Sequence, residues 1–465
     1  MNTITDLLDL EDEDIIIYDI QIVGTQKILY AETKVSIHFC PVCGFRMHSR
    51  GVKERTINHP ILQDGYEVII KLKQRRWRCT NPDCKYEENE SFKFISKQKR
   101  NTNATDMMII NAFRNLNESA TSIAARFNVS DTYVIQTFEK YVKMDRLQLT
   151  DIICIDEVHL ELDPYCKYSL VIQDFYTGDP IDLLISRRQS NTEPYFVSIP
   201  REERCKVKYL ISDMYNPYIN YVNKYFPNAV AVVDSFHVTQ WIINRIDGYI
   251  RSLIKNYKQR DREEYEMYHP NEPIPKSIPP SREVYLLQKY RWLILANQDS
   301  IVYHKDLRRD SHFNCLMCTY DYEDELFRIS PRLEHLRSLK EQYIQFNNRN
   351  YEEPMDARIE LDELIDFYLN CGDSIFIDFA NLLITYHEYI INSFVVAKKY
   401  GKDRIYESRL SNGPIESLNR KIKDLKRLGR GYKNFEHFRN RFLFATRREP
   451  VINGSPKCKP VKYYE

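Results

Sequence analysis

The first hundred residues alternate over short distances. Val68-Ile-Ile-Lys-Leu-Lys-Gln-Arg-Arg-Trp77 switches between apolar and polar positions before it turns basic, and a period of two predicts a half-buried strand. From Asn101 to Leu149 the period lengthens. Ile123, Ala124 and Phe127 share one helical face, Asn128-Val-Ser130 makes a turn, and Val134, Ile135 and Phe138 continue a second helix with Ser130 as its N-cap. Two short helices across such a turn suggest a helix-turn-helix, or a plain helical hairpin.

From Asp151 the pattern changes again. Ile152–Ile155, Tyr168–Gln173, Ile181–Ser186, Val207–Ser212 and Ala229–Val233 read as strands, with a helical pattern near Tyr218–Tyr225 between the last two. Three strands followed by helix-separated strands predict a mixed sheet in an α/β domain. Thr239–Tyr406 carries long helical patterns, interrupted by the proline-rich stretch Pro270–Ser281. A last helix opens at Gly413-Pro414, with Ile415, Leu418, Ile422 and Leu425 on one apolar stripe.

Charge modifies this picture through its distribution. The 465 residues hold 67 Lys+Arg and 66 Asp+Glu, a net charge of +1. Met1–Asp14 and Glu352–Asp378 are acidic, whereas Lys71–Arg100 and Arg420–Arg448 are strongly basic. Patches bind phosphate, so a nucleic-acid partner fits despite the neutral total. The longest apolar stretch, Phe376–Ala397, contains Asp378, His387 and Glu388, which excludes it as a membrane span. The acidic N-terminus is unlike a signal peptide, so a cytoplasmic protein with reduced cysteines is expected.

Two kinds of residue carry candidate chemistry. Cys40-x-x-Cys43 and Cys79-x-x-x-x-Cys84 bracket the alternating strand; two close cysteine pairs supply the four soft ligands of a tetrahedral Zn²⁺, as in a zinc ribbon. Four buried thiols are the plainer alternative, and His38, His48 and His59 are substitute ligands. Cys315-x-x-Cys318 has no second pair and reads as core packing. The second kind is acidic. Asp156 closes the apolar run ICI, Asp213 closes YLIS and Asp234 closes AVAVV. Each alone is an ordinary turn residue or cap. Three at the ends of strands in one sheet can converge, and converging carboxylates invite Mg²⁺. Glu157 faces away from Asp156, because neighbours on a strand point to opposite sides. Glu416, in the first turn of the last helix, is either a capping glutamate or a metal ligand.

The cysteine module, the helical pair, CIDEVH around Asp156, SDMYNPYINYVNKYFPNAVAVVDSFHV and SNGPIESLNRKIKDLKRLGRGYKNFEHFRNRF together resemble the ISL3 family of insertion-sequence transposases, over nearly the whole chain. The resemblance implies an α/β fold with a ribonuclease-H-like mixed-sheet core. An all-α insertion interrupts that core, and a zinc ribbon (1–100) and a helix-turn-helix (101–149) precede it. The core would occupy 150–238 and 407–465, and the insertion 239–406. By the family's pattern Asp156, Asp213 and Glu416 are the three acids of a DDE site holding Mg²⁺ (or Mn²⁺). Asp234 and His237 form an auxiliary Asp-x-x-His element; a rival assignment makes Asp234 the second acid. Ser235 and Ser417 stand where the family pattern has Arg and Gly.

Double-stranded DNA, as terminal inverted repeats and as target, is the implied partner. Arg75, Arg76, Arg78, Thr132, Tyr133, Arg420, Lys421, Lys423, Lys426 and Arg427 are its candidate contacts. A homodimer or larger synaptic assembly and a nucleoid-associated bacterial location follow from the same resemblance. A catalytically inactive DNA-binding regulator and a stand-alone Mg²⁺ nuclease are the alternatives.

Overall fold

The computed structural model describes residues 8, 10, 12–34, 36–63, 65–270, 273–275, 278–351, 353–401, 404–429 and 431–452. Most of the acidic N-terminal tract, and part of the proline-rich stretch, lie outside the described residues. The chain divides into two compact units. One comprises 1–146, 159–167 and 420–465, and the other 147–158 and 168–419.

In the first unit, β1 (Ile15–Val23), β2 (Gln26–Thr33), β3 (Met47–Gln63), β4 (Tyr66–Cys79) and β5 (Glu87–Asn89) form a sheet. Its order is β1-β2-β4-β3, with β5 also on β4. Val68, Ile70 and Leu72 of β4 enter the core beside Leu29, Ile57 and Phe94, as the alternation predicts. Three helices follow, α1 (Asn103–Ala112), α2 (Ala120–Phe127) and α3 (Asp131–Tyr141). Ser130 caps α3 by accepting from the Tyr133 amide at 3.2 Å. Asn128 turns the chain at φ 51°, a left-handed conformation that asparagine tolerates. Buried Asp106 accepts from Lys99 at 2.6 Å, Tyr133 at 2.5 Å and Tyr141 at 3.3 Å, tying α1 to α3. The terminal helix Phe435–Thr446 completes this cluster, with Phe444 edge-on to Phe138.

The second sheet is built of β6 (Ile152–Asp163), β7 (Cys166–Asp174), β8 (Pro180–Leu184), β9 (Tyr209–Ser212) and β10 (Val230–Val233) in the mixed order β10-β9-β6-β7-β8, and belongs to the second unit except for 159–167 of β6 and β7. Two residues join β6 to β7, too few for a parallel crossover. β7 and β8 are antiparallel, whereas β9 is parallel to both β6 and β10. The helices α4 (Gln189–Ser198) and α5 (Arg201–Arg204) lead into β9. α6 (Asn216–Tyr225) joins β9 to β10, and α7 (Ser235–Tyr268) leaves β10. Val238, Ile242, Ile246, Ile250 and Ile254 run along the buried side of α7 at four-residue spacing. They meet the helices Pro331–Asn348 and Ser374–Thr385 in one continuous core with the sheet.

Two expectations are corrected. Asp156 does not end its strand: β6 runs on to Asp163. Ile152–Ile155 is buried on both faces, but from Val158 burial alternates, with Val158 and Leu160 inside and His159 and Glu161 outside. The apolar run stops where one face of the strand meets solvent, not where the strand stops. Residues 239–406 are mainly helical but not all-α. They contain the hairpin β11 (Arg308–Asp310) with β12 (Cys315–Met317), and β13 (Val396–Tyr400), which pairs with β14 (Ile405–Arg409). These strands are too short, or too rich in charge, for periodicity to reveal.

Candidate active site and cysteine cluster

The register of the second sheet places three of the acids. Cys154 pairs with Ile211, and Ile211 with Val232. Asp156, Asp213 and Asp234 each lie two residues beyond that row, on three adjacent parallel strands or just past their ends. Adjacent strands are ~4.8 Å apart and side chains repeat every second residue, so the sheet brings these positions to one edge on one face.

Electrostatics ties them together. Burial pushes the Asp156 carboxyl up to about 6; the Glu157 amide, donating to Oδ1 at 2.7 Å, opposes this, while Asp213 adds to it. Asp213 is raised by burial and by Glu157, with His237 and Arg187 opposing. Its Oδ1 is buried without a hydrogen-bond partner. Asp234 is also raised by burial, with Glu416 among the charges acting on it and His237 opposing. Asp234 is 3% exposed and caps α7, accepting from the Phe236 amide at 3.4 Å. Three carboxylates at one sheet edge, with an unsatisfied oxygen among them, are oxygen donors of the kind a hard divalent cation takes, spaced more widely than a closed ligand set.

Glu416 sits half-buried in the first turn of the helix Gly413–Leu428. Two asparagines tie this segment to β6. Asn412 donates from Nδ2 to the Ile155 carbonyl at 3.1 Å. Asn419 donates from Nδ2 to Asp156 Oδ2 at 2.8 Å and to the Glu157 carbonyl at 3.4 Å. Residues three apart share a helix face, so the face that meets Asp156 through Asn419 also carries Glu416. Sequence reasoning missed both asparagines. Asn419 did leave a signal, since it lies four residues after Ile415 and three before Ile422, inside the apolar stripe.

Glu157 meets partners other than those of Asp156, while its charge still acts on both Asp156 and Asp213. It pairs with Arg187 and accepts from Tyr218 Oη at 3.0 Å. The Arg187 guanidinium lies over Tyr168 at 4.7 Å and over Tyr215 at 5.3 Å.

In the first unit, the four cysteines converge. Their sulfurs lie within 4.8 Å of one another, with Cys40 to Cys84 at 3.8 Å and Cys43 to Cys79 at 3.4 Å. Tetrahedral Zn–S bonds of ~2.3 Å need sulfurs about 3.8 Å apart. Among the described residues this is the one set of three or more potential ligands gathered tightly enough to hold a metal as it stands. Gly44, at φ +73°, closes the first turn by donating to the Cys40 carbonyl at 2.9 Å. The Phe45 amide holds the Cys43 thiol down to about 7, whereas burial pushes Cys79 up to about 12. His38 packs tilted against Trp77, with ring centres 4.6 Å apart, and His59 bonds Thr102 at 3.2 Å.

The candidate DNA contacts divide into free and engaged groups. Arg75 is inward, 14% exposed, and held by Thr33, Glu90 and Glu32. Arg76 and Arg78 both pair with Glu87. Tyr133 spends its hydroxyl on Asp106, while Thr132 is exposed. Lys426 pairs with Glu161 and Arg427 with Asp424. Arg420, Lys421 and Lys423 are exposed. No helix of the described residues is long and apolar enough to cross a membrane.

Known proteins resemble this chain over most of its length. The family model described as a transposase of the DDE, ISL3 type matches residues 153–442, which include all four acids. The transposase for insertion sequence element IS1001 of Bordetella parapertussis is 21% identical over 427 residues, covering 89% of this chain and 90% of that protein. The chain therefore belongs to the ISL3 family of transposases.

Proposed function

We infer that the protein cuts and rejoins DNA at the ends of its own element, with Asp156, Asp213 and Glu416 holding two Mg²⁺ ions. The observation that carries this is the row of acids on β6 and β9, joined through Asn419 to the helix of Glu416. The strand order, with β6, β7 and β8 in sequence on one side and parallel β9 and β10 on the other, supports a ribonuclease-H-like core. The unmatched Oδ1 of Asp213 favours it over Asp234 as the second acid, because Asp234 is already used as a cap. Bound Mg²⁺ would supply a water or 3′-hydroxyl nucleophile at neutral pH and charge relief for the leaving oxygen.

The protein's own residues do the rest. The buried carboxylates concentrate negative charge that a bound cation would offset, and His237 acts against part of it. The helix-turn-helix would read the terminal repeat with exposed positions of α3 such as Thr132, and Arg420, Lys421 and Lys423 would take phosphates. The four cysteines would hold a structural Zn²⁺ in a ribbon that presents Arg76 and Arg78. Action on two ends calls for a dimer or larger assembly.

The test uses a duplex carrying one element end and flanking DNA, with Mg²⁺, with EDTA, and with Glu416→Gln. Metal-dependent cutting at the repeat boundary, lost in Glu416→Gln while binding persists, is the expected result. Binding without cutting, including with paired ends, would favour the inactive-regulator reading.

A further inference from the structure

Asn419 is 9% exposed on an otherwise apolar stripe of Ile415, Leu418, Ile422 and Leu425. An amide in such a place is costly. Its Nδ2 is satisfied by Asp156 Oδ2 and the Glu157 carbonyl, but its Oδ1 is buried with no partner. A leucine here would continue the stripe and remove the orphaned Oδ1, at the cost of the donor to Asp156 Oδ2, so packing does not account for asparagine. What asparagine adds is a donor aimed at one oxygen of Asp156. The other oxygen accepts from the Glu157 amide at 2.7 Å. Both oxygens are therefore fixed, and the carboxylate cannot rotate freely.

Rotation is what the surroundings would otherwise favour. Asp213 stands at the same level on the neighbouring strand, and two carboxylates side by side repel. Without a fixed donor, Asp156 gains by turning away from Asp213. We propose that Asn419 is a positioning residue, whose side-chain amide holds the Asp156 carboxylate in the orientation that takes a divalent cation together with Asp213. This rests on the metal-binding reading above. It adds that the helix of Glu416 contributes twice: Glu416 as ligand, and Asn419 as the brace of a ligand on β6.

The test is Mn²⁺ binding by the full-length zinc-loaded protein without DNA, with free Mn²⁺ followed by electron paramagnetic resonance. Asp156→Asn serves as the control. Asn419→Leu is expected to bind Mn²⁺ about tenfold more weakly, in the range seen when a partner of a metal ligand is removed, a loss larger than any change in its unfolding midpoint would produce. Asn419→Ala, which does not overfill the site, is expected to show the same loss of affinity. Unchanged Mn²⁺ affinity in both variants, or affinity lost only in step with the unfolding midpoint, would overturn the proposal and assign Asn419 to packing. Wild type binding no more Mn²⁺ than Asp156→Asn would overturn the metal-binding reading itself, and the proposal with it.

Discussion

Asn412 donates its side-chain amide to the carbonyl oxygen of Ile155 at 3.1 Å, across 257 residues of chain. That bond joins the residue before Asp156 to the residue before the helix of Glu416. The Ile155 side chain is fully buried, so removing the donor strands a carbonyl in the core. Asn412→Ala is expected to cost about 1–3 kcal/mol in urea unfolding. It should also slow cleavage more than it weakens DNA binding, since it loosens the helix of Glu416. Equal loss of cleavage and binding would instead point to general unfolding.

The raised carboxyls give stability a definite pH dependence. Asp156 titrates at about 6 in the folded protein, above the ordinary aspartate range. Between pH 4 and 6 the folded state therefore holds a proton that the unfolded state has released, and stability falls as pH rises through that window. Free of the catalytic metal, the protein is expected to be less stable at pH 7 than at pH 5. Asp156→Asn should remove the Asp156 share of that slope, leaving the shares of Asp213 and Asp234, and raise stability at pH 7 by up to about 3 kcal/mol. Added Mg²⁺ should stabilise wild type more at pH 7 than at pH 5. Denaturant unfolding at both pH values checks this, and a wild type whose stability rises over the window would contradict it.

Zinc uptake by the four cysteines should release protons. Cys79 lies near 12 and Cys84 is also raised, so both thiols are protonated at neutral pH in the metal-free protein, while Cys43, near 7, is partly ionised. Thiolates are the ligands, so binding near pH 7 is expected to expel about two or more protons per zinc and to tighten with rising pH. Calorimetry in buffers of different ionisation enthalpy measures the number. Cys79→Ser should abolish stoichiometric zinc retention, and a variant that keeps one zinc per chain would refute the four-cysteine site.

Arg441 is fully buried and donates to the carbonyls of Phe113, Asn115 and Glu118, in the turn between α1 and α2. Burial lowers its guanidinium to about 10, still charged at neutral pH. Arg441→Leu strands three carbonyls and is expected to cost about 3 kcal/mol or more. The thermal midpoint should drop, and binding to element ends should weaken with it. A loss below about 1 kcal/mol would show that the turn is held by other contacts.

Local pattern carried much of this protein. Alternation marked β4, and apolar runs marked the strands β7 to β10 within a few residues and the start, but not the end, of β6. The turn at Asn128 and the cap at Ser130 were legible because helix ends obey short-range rules. The cysteine pairs were legible because ligand spacing is a property of tight turns. Periodicity separated Glu157 from Asp156, and the two do take different partners, Arg187 and Tyr218 against Asn419.

The sheet and its long-range bonds decided the rest. Sequence spacing does not say that Asp156, Asp213 and Asp234 fall on one row, because the row is set by strand order and register. It showed Arg75 as one more basic residue of a patch, whereas only packing reveals that Thr33 and Glu90 turn it inward. It passed over Asn412, Asn419 and Arg441, whose partners lie hundreds of residues away. A chain determines by itself what each residue does within about one helical turn or one strand. Which distant carbonyl or carboxylate a buried polar group satisfies is decided only when the hydrophobic core has closed and that group has no water left to turn to.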